Sequence, residues 1–209
     1  IVSWWRMGDN DSGAGNFVTD VIATDGEALH LPGVADNYAS VPDAANLDGF
    51  VDFTLEMKGV TFADWTSGER GLMSKWETAG NDRAWRFQMS AGGNLELLLS
   101  FAGSGDVVTY TSTAPTGVTD GATADLLVLR NGVDVRFYVN GAQIGADVTC
   151  VSTALYAGAA TAKVGVNYNT SGSPMDGSVQ RARVWNSAVG SASNPTETPV
   201  LDMNFTLAN

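Results

Sequence analysis

The chain has 209 residues, 44% of them hydrophobic, and its 23 acidic side chains outnumber 11 basic ones to give a formal net charge of -12. That length and apolar content suffice for one sizeable core, so a single domain over residues 1–209 is expected. Such an acidic body repels phosphate backbones, which argues against nucleic acid as a partner and leaves divalent cations and basic protein surfaces, although the same charge also serves solubility. No run approaches the roughly 20 apolar residues a helix needs to cross a bilayer. Ile1 to Arg6 lack the form of a signal peptide, and a soluble protein without membrane insertion is expected. The lone Cys150 excludes an internal disulfide, and its neighbours Val148 and Val151 mark it as a buried thiol.

In chain order, Val2, Trp4 and Arg6 bracket a first apolar segment. The loop from Gly8 to Gly13 follows, and its Asp9, Asn10 and Asp11 concentrate hard oxygen donors of the kind calcium takes. The loop lacks the closing Glu of an EF-hand, and the same residue types are ordinary turn formers. His30 is the only histidine; between Leu29 and Leu31 it reads as an edge-strand residue, and one His with one Cys cannot build a zinc site. Val51, Phe53, Leu55 and Met57 alternate with Asp52, Thr54, Glu56 and Lys58, which predicts a strand with one buried face. Trp65 and Trp76 stand in polar settings where exposure, and stacking on a sugar ring, is expected. The turn around Asn81 and Asp82 is a further candidate for ligand contact. Trp85, Phe87 and Met89 alternate with Arg86 and Gln88, and after a turn at Ala91 to Asn94 the pattern resumes at Leu95, Leu97, Leu99 and Phe101.

Val107 to Thr111 is rich in β-branched residues. Leu126 to Arg130, Val133 to Val139 and Ala142 to Ile144, joined by Asn131-Gly132 and Asn140-Gly141, predict a three-stranded meander with two-residue turns. Tyr168, between Asn167 and Asn169, is a third candidate for stacking, and Asp176 is a candidate to share a calcium ion with Asp9, Asn10 and Asp11. Trp4, Trp85 and Trp185 sit on strand patterns and are assigned to the core. Ser187 to Pro199 reads as an irregular connector to a last strand over Val200 to Phe205, which is expected to pair with the N-terminal segment. No window carries a convincing helical stripe. The 24 glycines fit many short strands, and the fold class is all-β, a two-sheet antiparallel sandwich.

Several stretches carry a family resemblance through their order along the chain. These are Tyr38-Ala-Ser-Val-Pro-Asp43, Phe53-Thr-Leu-Glu-Met57, Leu72-Met-Ser-Lys75-Trp76, Ala84-Trp85-Arg86-Phe87, Phe137-Tyr-Val-Asn-Gly141, Met175-Asp-Gly177 and Ala182-Arg-Val-Trp-Asn186. Together they resemble laminin-G-like domains of the concanavalin A-like lectin/glucanase class, from about Trp4 to Phe205. The resemblance implies a jelly roll of about a dozen strands, with any activity on the concave face or in the edge loops. Many relatives hold calcium there. Relatives usually carry an acid near the position of Gln180, so this chain departs from any ion site that relies on it.

Glycanases of this fold need paired carboxylates about 5 Å apart, usually supplied by a Glu-x-Asp-x-x-Glu strand. That signature is absent, since Thr54 separates Asp52 from Glu56, and no enzyme is expected. The reading is a non-catalytic, surface-presenting interaction module. Its first form is a virion structural protein, a phage head decoration or tail appendage that binds protein or glycan surfaces. The alternative is a carbohydrate-binding module of a secreted protein, and a glycanase stands third. The expected place is a virion or the extracellular space, with homo-oligomerisation left open.

Overall fold

The computed structural model describes residues 28–169, 171–189 and 197–205. Among the described residues fifteen strands run in chain order as β1 (Leu29–Pro32), β2 (Ala39–Val41), β3 (Phe53–Thr61), β4 (Arg70–Glu77), β5 (Asp82–Met89), β6 (Asn94–Ser100), β7 (Val107–Pro115) and β8 (Thr123–Asn131), then β9 (Asp134–Val139), β10 (Ala142–Gln143), β11 (Val148–Thr149), β12 (Ala162–Val164), β13 (Asp176–Val179), β14 (Arg181–Trp185) and β15 (Leu201–Asn204). They form two antiparallel sheets. One has nine strands, with β1-β13-β3-β8-β9-β10 as its main path, β11 on β9, and β14 joining β3 to β15. The other has six, ordered β2-β12-β4-β5-β6-β7. Consecutive strands that sit far apart in the order give the jelly-roll crossovers, so the expected two-sheet sandwich is the observed architecture.

Period-two alternation explains which faces meet. Phe53, Leu55 and Met57 of β3 face Trp85, Phe87, Met89, Leu95, Leu97 and Leu99 of the six-stranded sheet across one continuous apolar core. Val51 is the exception to the predicted stripe: it precedes the strand and is 41% exposed. The two Asn-Gly pairs resolve into different turns. Asn140 and Gly141 both have positive φ, 51° and 79°, and form the two-residue connection between β9 and β10. In the preceding hairpin Asn131 pairs with Asp134, so the turn is shifted by one residue to Gly132 (φ 61°) and Val133. The first has the type I′ form and the second places Gly where type II′ requires it.

The last strand pairs with β14, Arg181 opposite Asn204 and Val184 opposite Leu201. Its expected N-terminal partner, around Val2, Trp4 and Arg6, lies outside the described residues. Cys150 is buried, and burial pushes its thiol up from the usual range. Lys75, side chain 0% exposed, points inward from β4 at one end of the sandwich. Its ammonium is held 2.8 Å from both Asp43 Oδ1 and Asp48 Oδ1 and donates to the carbonyl of Gly158. Three N–H donors meet three oxygens, which ties the β2–β3 connection and the segment around Gly158 to one strand.

Candidate functional site

The outer face of the six-stranded sheet carries a cross-strand row of Ser40, Lys163, Ser74, Arg86, Leu98 and Thr109. A second row beside it holds Gly71, Gln88, Glu96 and Thr111. These residues alternate with the core positions of the same strands, so the register that buries Trp85 and Phe87 also places Arg86 on this face.

Part of the face is roofed. After β12 the chain curls back over β4: Gly165 N–H donates to Leu72 O at 2.8 Å and Ser74 Oγ donates to Val166 O at 2.8 Å. Gly71 permits this approach, because a Cβ there would lie 2.8 Å from Val166 Cα. At the other end Asn169 Oδ1 accepts from Thr78 N at 3.0 Å and Thr78 Oγ1 at 2.9 Å. The segment so pinned carries Tyr168 to the edge of Arg86.

The guanidinium carbon of Arg86 lies 5.0 Å from the centre of the Trp76 ring and 5.5 Å from that of Tyr168. Burial pulls its pKa below the ordinary guanidinium value, with Glu69 opposing that shift, and it stays charged at neutral pH. No carboxylate pairs with it among the described residues. The two acids near it are satisfied by neutral donors instead. Glu69 Oε1 accepts from Asn167 Nδ2 and Ser173 Oγ, both at 2.6 Å. Glu96 Oε2 accepts from Gln88 Nε2 at 2.6 Å and its Oε1 from Thr111 Oγ1 at 3.3 Å. Arg86 Nε, Gln88 Oε1 and Asn167 Oδ1 are buried without hydrogen-bond partners. A cation stacked on two rings, with no acid paired to it among the described residues, is suited to an anionic group on a ligand.

The structure sorts the predicted site residues. Trp76 and Tyr168 are brought together, but Trp76 is 3% exposed and serves as the floor beneath Arg86, a correction to its expected exposure. Trp65 is 0% exposed, packs edge-on against Phe62 at 4.8 Å and donates from Nε1 to Ala122 O at 3.2 Å. Its indole belongs to the core, because the polar neighbours form a turn in which Asp64 Oδ1 accepts from Thr66 and Ser67 while the ring turns inward. Asn81 has a left-handed φ of 58° at the entry to β5, and Asp82 starts that strand opposite Glu77, beyond the Arg86 row. Asp176 is exposed on β13 opposite Pro32. Asp9, Asn10 and Asp11 lie outside the described residues, and among the described residues no group of three or more His, Cys, Asp or Glu could hold a metal ion.

Arg86, Gln88, Glu96 and Glu69 were not among the sequence candidates. The available signal was Arg86 at an outward position of the Trp85-Arg86-Phe87 alternation.

The fold and the face define the class of protein. A family model described as the concanavalin A-like lectin/glucanases superfamily, laminin G type, matches residues 33–193, and the chain belongs to that family. No curated protein matches the sequence. Among solved structures, the chain is similar to the CBM40 module of the Ruminococcus gnavus IT-sialidase bound to α2,3-sialyllactose, with TM-score 0.62 and 16% identity over 79% of this chain and 92% of that one. A heptameric SAP-like pentraxin from Limulus polyphemus is similar with TM-score 0.54 and 16% identity over 81% of each chain. NanB sialidase from Streptococcus pneumoniae, in a mutant form, is similar with TM-score 0.59 and 15% identity over 80% of this chain and 28% of that one. At these identities the likeness concerns the fold.

Proposed function

We propose that the protein is a non-catalytic carbohydrate-binding module that takes an acidic glycan on the outer face of its six-stranded sheet. The observation that carries this reading is Arg86, charged, half-buried, stacked against Trp76 and Tyr168 and without a carboxylate partner among the described residues. A ligand carboxylate supplies the missing acceptor, and a guanidinium can meet it through two parallel hydrogen bonds. The likeness to a sialidase module bound to sialyllactose supports a carboxylated sugar.

Catalysis has no support in the acids of β3, because Glu56 is tied to Arg183 on the outer face of the other sheet, with Arg183 Nε donating to it at 2.6 Å. The glycan reading is favoured over the virion reading, for which no observation on this face speaks. On this reading the module works outside the cell.

A panel of neutral and carboxylated oligosaccharides tests the proposal. Binding confined to carboxylated members and lost in Arg86→Ala is the expected outcome; binding to neutral glycans unaffected by that substitution would refute it.

A further inference from the structure

The row that contains Arg86 is sealed by a folded-back segment on one side and ends in exposed threonines on the other. Toward β12, Ser74 is sealed under the Val166 carbonyl, and Lys163 is 5% exposed and lies 3.5 Å from Glu77. Tyr168 stands at that boundary, held by the bonds that Asn169 makes to Thr78 and by the hydrogen bond from Asn167 N–H to Gly172 O at 2.8 Å. Gly172 suits the same arrangement, because a Cβ on it would meet the Tyr168 ring at 2.6 Å. Toward β7 the row runs past Leu98, itself 6% exposed, to the exposed Thr109, with Glu96 and the exposed Thr111 alongside.

Neighbouring strands lie about 4.8 Å apart, so Arg86 and the β7 threonines are separated by roughly 10 Å, the span of about two pyranose rings. We infer that the site reads the end of a glycan chain: the acidic terminal sugar rests on Arg86 against the Tyr168 wall, and the following sugar extends toward β7 with Glu96, Thr109 and Thr111 as its subsite. This inference rests on the glycan-binding reading above. A carboxylate in the middle of a polymer cannot be served by the same geometry, because the chain on its other side would run into the pinned segment. The exposed threonine hydroxyls bond to the ring oxygens and hydroxyls of the second sugar.

Calorimetric titration of the whole chain with three probes tests it: the methyl glycoside of N-acetylneuraminic acid, sialyllactose, and polygalacturonate, whose carboxylates are almost all internal. The trisaccharide should bind several-fold to tenfold more tightly than the monosaccharide, and polygalacturonate at least tenfold more weakly than the trisaccharide. In Thr109→Ala/Thr111→Ala the gain with length should vanish while monosaccharide affinity stays unchanged. Equal affinity for the polymer, or a length gain that survives the double substitution, overturns the inference while leaving the acidic-glycan reading intact. Failure of every carboxylated probe overturns both.

Discussion

Two arginines occupy matching positions on the outer faces of the two sheets. Arg183, on β14, stacks over Trp185 at 4.9 Å, and Arg86, on β5, stacks over Trp76 at 5.0 Å. Arg183 is answered by Glu56 within the sheet and covered by the segment that follows Trp185, where Val189 N–H donates to Thr54 Oγ1 at 3.0 Å. Arg86 has similar aromatic packing and, among the described residues, no acid paired with it. The same residue pair is structural where its charge is balanced inside the protein and a binding feature where the balance must come from outside.

The sharpest way to break that comparison is to remove the acid from the balanced site. Glu56→Ala leaves a buried, unpaired guanidinium and should cost about 3–5 kcal/mol of stability in urea unfolding. Arg86→Ala orphans no partner and should cost no more than about 1 kcal/mol. Equal costs would mean that Arg86 is as structural as Arg183. The binding effects should run the other way: Arg86→Ala weakens an acidic glycan roughly tenfold to a hundredfold, the loss of hydrogen bonds to a charged group. Trp65→Phe should lower the melting temperature and leave affinity unchanged, as befits a core ring.

Smaller effects sharpen the contrast. Tyr168→Ala removes one of two rings that position Arg86 and should weaken binding about two- to fivefold, a surface cation–π contribution. A titration of stability completes the series. Burial raises the pKa of Glu56, and the opposing pull of Arg183 is the smaller influence. Folding therefore makes this carboxyl hold its proton more readily than in the unfolded chain. The stabilisation from this group is present below the unfolded glutamate pKa, about 4.3, and is lost as pH rises through the raised folded value. The stability of wild type relative to Glu56→Gln should thus improve as the pH is lowered from neutral toward that range. A change in the opposite direction would show that pairing with Arg183 outweighs burial.

Much of the fold was legible in the sequence because strands with one face in the core write a period of two, as Phe53, Leu55 and Met57 or Trp85, Phe87 and Met89 do. The meander was legible because few residues other than Gly and Asn adopt positive φ. The slip at Asn131 arose because an Asn-Gly pair fits either a type I′ turn or a strand end followed by a type II′ turn. The site was less legible. Polar neighbours made Trp65 and Trp76 look exposed, but hydrogen bonding of a turn says nothing about where its indole points. Arg86 could be placed outward by alternation, yet its lack of a partner depends on Trp76, Tyr168, Glu69 and Glu96. Pairing along the sheet and the fold-back after β12 bring those residues together, and no local window contains them.

The central claim is that Arg86 meets a ligand carboxylate directly. The most direct measurement is a double-substitution cycle by calorimetry, in which sialyllactose and its methyl ester are each titrated into wild type and Arg86→Ala. The account predicts that esterification weakens binding to wild type by at least about tenfold and makes little further difference once Arg86 is gone. Equal discrimination between acid and ester by the two proteins would contradict it.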